Sequence, residues 1–246
     1  MKTPVAKIFL TAEWRHLAMF NYEIPAAVLE PMVPRGTELD FWNGKAFVSL
    51  VGFLFLKTHV WGMPFPGHRN FEEVNLRFYV RRKAADGWRR GVVFIKELVP
   101  RRAIAFGARK FYNENYLAVP MAHEIGEAAG GGMSVAYCWW FKGLGCHMKL
   151  TAAGGARPLV AGSKQEFITE HYWGYSRQQD GSTMEYRVEH EPWRVWESEG
   201  ADLRCDVAKL YGEKFISALA GPPASAFLAD GSKVKVFRGV KLGADG

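Results

Sequence analysis

Residues Phe71 to Val80 alternate apolar and polar side chains so regularly that they read as a β-strand with two chemically different faces. Val74, Leu76, Phe78 and Val80 share one face. Glu73, Asn75, Arg77 and Tyr79 share the other, where a carboxylate, an amide, a fixed cation and a phenol stand in a row. That row either meets bulk water or lines a polar cavity, and the choice decides what the chain can do.

The surrounding segments read as further strands. Glu38 to Phe41, an Asn43-Gly44 turn and Lys45 to Phe55 have the pattern of a tight hairpin, because Asn-Gly accepts the positive φ angles of a type I′ turn. Lys57 to Asn70 has no periodicity and reads as a long loop carrying His59, Trp61 and His68. Asp86-Gly87 marks a turn into the strand Val92 to Val99, and a turn with an even residue count sets Lys96 beside Asn75 and Arg77. Two more hairpins follow, Val135 to Thr151 and His171 to His190. Ser163-Lys164-Gln165-Glu166 is a capping box that starts a short helix, and Ala103 to Tyr116 is mildly helical. Asp206 to Ala220 reads as an amphipathic helix and Val234 to Leu242 as a final edge strand. With no long linker and no internal repeat, residues 1–246 read as one domain.

With 48% hydrophobic and 14% aromatic residues, the chain is far from the composition of a disordered protein. Cys138, Cys146 and Cys205 have no CxxC spacing, which argues against a disulfide framework or zinc knuckle and fits a reducing cytoplasm. The N-terminal residues do not resemble a signal peptide, and no apolar run is long enough for a membrane helix. A net charge of +7 raises the question of nucleic acid. Its clearest cluster, Arg81-Arg82-Lys83 with Arg89-Arg90, suits a solvated hairpin tip better than a phosphate-binding surface.

The polar row with Lys96 is the leading candidate site. Arg77 can hold a carboxylate through its planar fork, and a desolvated Lys96 beside a cation would become a nucleophilic amine. The same row also suits a solvent-facing sheet with cross-strand ion pairs, so both readings stand at this point. His171, Glu189 and His190 form a second candidate for proton transfer, although no metal-ligand spacing accompanies them. No nucleotide-binding or hydrolase motif is present, and no cofactor or metal is indicated.

Several motifs match a known family. Trp14-Arg15-His16-Leu17, Asn43-Gly44-Lys45-Ala46-Phe47-Val48, the strand Phe71 to Val80, Glu166 to Tyr172 and Val188 to Trp193 resemble the YqjF-like family of uncharacterised bacterial proteins. That family is distantly similar to acetoacetate decarboxylase. The resemblance implies an α+β fold, a mostly antiparallel acetoacetate decarboxylase-like β-barrel with a few peripheral helices and a ligand-sized cavity. It places Arg15 near an active-site arginine and sets Asn115-Tyr116 where a Schiff-base lysine pair would stand, and neither residue can form an imine. The expectation is therefore an anionic or carbonyl-containing small-molecule ligand bound by Arg15, Glu73, Asn75, Arg77 and Tyr116, with Lys96, Tyr79 and His190 as candidates for chemistry. A homo-oligomer is compatible with the sequence.

Overall fold

The computed structural model describes residues 7–64, 67–101, 113 and 115–243. Most of the segment expected to be mildly helical, Ala103 to Tyr116, lies outside them. In chain order the strands are β1 (Ile8–Ile24), β2 (Glu38–Leu39), β3 (Ala46–Val60), β4 (Met63–Pro64), β5 (Phe71–Ala84), β6 (Gly87–Val99), β7 (Tyr116–Ala118) and β8 (Met121–Ala128). They continue with β9 (Gly132–Phe141), β10 (Leu144–Ala152), β11 (Arg157–Pro158), β12 (Trp173–Arg177), β13 (Thr183–His190), β14 (Arg194–Arg204), β15 (Ser225–Phe237) and β16 (Val240–Lys241). Short helices occupy Ala26–Leu29, Lys164–Thr169, Val207–Tyr211 and Ile216–Leu219.

Pairing closes part of the sheet on itself. The path β13-β12-β6-β5-β3-β1-β15 returns to its start because Val188, Glu189 and His190 of β13 also pair with Val236, Lys235 and Val234 of β15. Closure removes the free edges that an open sheet would present. The seam between β6 and β12 is parallel, and the other joints of the ring are antiparallel. From β15 the sheet continues through β14, β10, β9 and β8, which form a second layer beside the ring.

The two faces of β5 divide the apolar core. Val74, Leu76, Phe78 and Val80 join Val135, Tyr137 and Trp139 of β9 and Met148 and Leu150 of β10, so this face packs against the second layer. The opposite face belongs to a cluster with Phe47, Val51, Phe53, Phe167, Ile168 and Trp193, which lies within the ring. The helix Lys164–Thr169 contributes Phe167 and Ile168, and its start is fixed as the capping box requires: Ser163 Oγ accepts from Glu166 N at 3.1 Å.

Four expectations change. The Asn43-Gly44 turn forms with both φ angles positive, but Glu38–Leu39 pairs with Arg81 and Val80 of β5 rather than with β3. The expected loop from Lys57 is strand as far as Val60, and a second tight turn at Trp61-Gly62 leads into β4. Asp206 to Ala220 is broken at Gly212, whose φ of 104° lies outside the helical region. Val234 is not on an edge, because β15 lies between β1 and its partners β13 and β14.

Candidate functional site

The polar face of β5 points into the ring. Glu73, Asn75, Arg77 and Tyr79 are all buried, with relative exposures of 3, 2, 9 and 1%. Apolar residues enclose them, so the row cannot be an ordinary solvated sheet surface.

Lys96 does not join them. The turn between β5 and β6 has two residues, and the pairing from Ala84↔Gly87 to Arg77↔Phe94 follows the register expected from sequence. A β-bulge then inserts Ile95, so Lys96 comes opposite Leu76 and Glu97 opposite Asn75. Directly opposed residues share a face, which puts Lys96 on the side of the second layer. Burial alone lowers its pKa there. Glu97, which sequence reasoning passed over, takes the inward place and is 1% exposed. Only the bulge distinguishes the two outcomes.

Glu73 is a strongly perturbed carboxyl. Burial raises its pKa to about 7, against the opposing effects of the Asn75 amide, the Tyr116 hydroxyl and the Arg77 charge. Asn75 Nδ2 donates to Glu73 Oε1 at 3.0 Å, and Tyr116 Oη approaches Oε2 at 3.4 Å. Tyr116 reaches this position because β7 runs parallel to β6, with Tyr116 beside Glu97.

Arg77 is held loosely for a buried cation. Its Nη2 donates to the Ile168 carbonyl at 3.4 Å, its Nε has no partner, and no carboxylate among the described residues forms an ion pair with it. The guanidinium stands 5.8 Å from the centre of the Tyr79 ring.

A directed hydrogen-bond chain fixes the Tyr79 proton. Asn21 Nδ2 must face the Ser225 carbonyl, which only accepts, so Asn21 Oδ1 faces Ser49. Ser49 Oγ then donates to Oδ1 at 2.6 Å and has no second proton to give. Tyr79 therefore donates to Ser49 across their 2.6 Å contact. Any approach to Tyr79 from within the ring meets a lone pair rather than a donor. Ser225, Asn21, Ser49 and Arg77 sit on one rung of the sheet, because Arg77 pairs with Ser49, Ser49 with Asn21, and Asn21 with Ser225, and Tyr79 lies two residues beyond Arg77 on the same face.

The remaining candidates are separated from one another. Arg15 lies on the face of β1 opposite Trp14, bonded to Glu13 at 3.1 Å, which also pairs with Lys57 at 2.8 Å. It does not meet Arg77. His190 stacks on Trp193 with ring centres 4.3 Å apart, and its Nδ1 faces the Glu191 carbonyl at 2.9 Å. Burial lowers its pKa to about 4, with a smaller contribution from the Arg77 charge, so His190 lies within electrostatic reach of Arg77. Glu189 points away into ion pairs with Arg187 and Lys235, and His171 instead meets Asp40. Of the histidines and tryptophan expected on the long loop, His59 bonds the Lys57 carbonyl, and Trp61 is 58% exposed and packs edge-on against Phe9.

The basic hairpin is internally compensated. Arg81 pairs with Glu38, Arg82 with Glu185, Arg89 with Asp86 and Glu185, and Arg90 with Asp40. Guanidinium groups already committed to carboxylates form a poor phosphate-binding surface. Among the described residues no helix is long and apolar enough to cross a membrane.

The closed ring and its side layer define the class. This is an acetoacetate decarboxylase-like fold, similar with a TM-score of 0.65 to acetoacetate decarboxylase from Legionella pneumophila, at 13% identity over 99% of this chain and 92% of that one. An acetoacetate decarboxylase-like enzyme from Sphingomonas wittichii RW1 gives a TM-score of 0.66 at 11% identity, over 98% and 96% of the two chains. The enduracididine biosynthesis enzyme MppR, in its complex with pyruvate, gives 0.65 at 11% identity, over 100% and 94%. The chain itself belongs to the DUF2071 family, an uncharacterized conserved protein family whose profile matches residues 11–233. It is 30% identical to the uncharacterized protein YqjF of Bacillus subtilis (strain 168) over 112 residues, a match that spans 45% of each chain.

Proposed function

We propose that the protein binds a small organic acid or related carbonyl compound inside the ring. Arg77 holds the carboxylate, and Glu73, Asn75, Tyr79 and Tyr116 shape the remainder of the site. The observation that carries this reading is Arg77 itself, a residue 9% exposed whose guanidinium has a 3.4 Å contact to the Ile168 carbonyl and, among the described residues, no ion pair and an unpartnered Nε. A buried charge is costly unless compensated, and a carboxylate matches the guanidinium fork in shape and sign. The pyruvate complex of MppR, which shares the fold, supports a ligand of this size and chemistry.

Glu73 is suited to exchanging a proton with such a ligand, since a pKa of about 7 leaves both of its forms populated at neutral pH. His190 is the second group assigned to proton transfer: its Nδ1–H is committed to the Glu191 carbonyl, leaving Nε2 as the acceptor. Tyr79 orients rather than donates, and Arg15 plays no part at the ligand.

Titrating pyruvate into the wild-type protein and the Arg77→Met variant tests the reading. The variant is expected to bind about 2–5 kcal/mol more weakly, the range for losing a buried charged contact. Equal affinities would remove Arg77 from the site. Imine chemistry at Lys96 is a separate question, because Lys96 faces the second layer. Borohydride reduction in the presence of pyruvate is expected to leave the mass of the Lys96 peptide unchanged. A reduced adduct there would restore a Schiff-base mechanism.

A further inference from the structure

His171 stands apart from the residues assigned above, and its contacts give it a defined protonation state. The side chain is 1% exposed. Its ring centre lies 4.7 Å from that of Tyr79 and 5.2 Å from that of Phe167. Nε2 is 3.2 Å from Asp40 Oδ2, the same oxygen that accepts from Arg90 Nε at 2.6 Å. Burial works against the Asp40 carboxylate, but the hydrogen bonds from His171 and Arg90 outweigh it and hold its pKa below the usual value. An ionised carboxylate only accepts, so Nε2 carries the proton. Burial depresses the His171 pKa to about 4, which leaves the ring neutral at pH 7 with a lone pair on Nδ1. That atom is buried and has no hydrogen-bond partner among the described residues.

Arg77 flanks the same Tyr79 ring and bonds the carbonyl of Ile168, three residues before His171. A cation and an oriented acceptor therefore both border one phenol, close enough for the Arg77 charge to act on His171. We infer that His171 Nδ1 accepts a hydrogen bond from the ligand, so that the ligand is a carboxylate with a donor on the adjacent carbon, such as a 2-hydroxy acid. The inference rests on the assignment of Arg77 as the carboxylate site. A plain carboxylate would leave Nδ1 unsatisfied, a defect worth about 5- to 100-fold in affinity. Asp40 and Arg90 are positioning residues in this scheme, since they fix which imidazole nitrogen carries the proton.

Lactate and propionate differ by the one hydroxyl concerned, and both are titrated into protein carrying ¹⁵N-labelled histidine while the His171 Nδ1 resonance is followed. Lactate is expected to bind about 5- to 100-fold more tightly than propionate and to shift that resonance, whereas propionate leaves it in place. In His171→Phe the preference is expected to disappear while propionate affinity is kept. Equal binding of the two acids with an unmoved Nδ1 resonance overturns the His171 assignment and leaves Arg77 standing. Failure of both acids to bind, or unchanged binding in Arg77→Met, overturns the Arg77 assignment and this inference with it. The resonance is read on wild-type protein, so the test does not depend on how the His171 variant folds.

Discussion

Arg77→Met is expected to raise the unfolding free energy by about 1–3 kcal/mol while weakening the binding of small carboxylates. The two effects have one cause. Methionine has nearly the reach of arginine and would contact the apolar neighbours that surround position 77, among them Phe167 and Ile168. It removes a buried charge that has no ion pair among the described residues and gives up the long hydrogen bond to the Ile168 carbonyl. Replacing buried ionic groups by well-packed apolar ones often stabilises a protein, and sites that hold a charge for a ligand forgo that stability. Urea denaturation of the two proteins without added acid measures the difference. A loss of stability beyond about 2 kcal/mol would mean that the chain already compensates Arg77.

The second large effect is a pH-dependent contribution from Glu73. Its folded pKa of about 7 lies above the ordinary value of 4.5, so the folded state binds this proton more tightly than the unfolded state does. The stabilisation is fully present below pH 4.5 and is lost as pH rises to 7, a change of about 3 kcal/mol at 1.36 kcal/mol per pH unit. His171 and His190 act in the opposite sense. Burial lowers both from 6.5 to about 4, so their contributions are present above pH 6.5 and are lost as pH falls towards 4. Between pH 4.5 and 6.5 the two histidines outweigh the one carboxyl, and wild-type stability is expected to rise with pH before turning down slightly near 7. Glu73→Gln has no such proton to lose. The difference in unfolding free energy between wild type and Glu73→Gln is therefore expected to shift by about 3 kcal/mol against wild type from pH 4.5 to 8. A difference that stays constant across that range would place Glu73 in a solvated environment.

The two faces of β5 could be read from the sequence because alternation fixes which side chains share a face. Which face turns inward could not, since that depends on closure through the pairing of Val188 to His190 with Val234 to Val236, remote in sequence from β5. The family resemblance supplied that information where the pattern left two readings open. Lys96 was misplaced for a local reason. Ile95 and Lys96 carry no glycine or turn signal, and the bulge is visible only in how β6 meets β5. Once it is present, Glu97 follows as the inward residue. His171 was noticed in sequence with the wrong partners, because Asp40 is 131 positions away and comes alongside only when β2 pairs with β5. Arg77 was assigned to an anion in the sequence reading from its residue type. That it has no ion-pair partner among the described residues is visible only in the folded ring.

A crystal structure of the protein with 3-bromopropionate, recorded at the bromine absorption edge, tests the placement of the ligand most directly. The expected result is an anomalous peak within the ring, with the carboxylate bonded to the Arg77 guanidinium and close to Tyr79. Bromine bound only at the outer surface, or beside Lys96 and the second layer, with Arg77 unchanged, would contradict it.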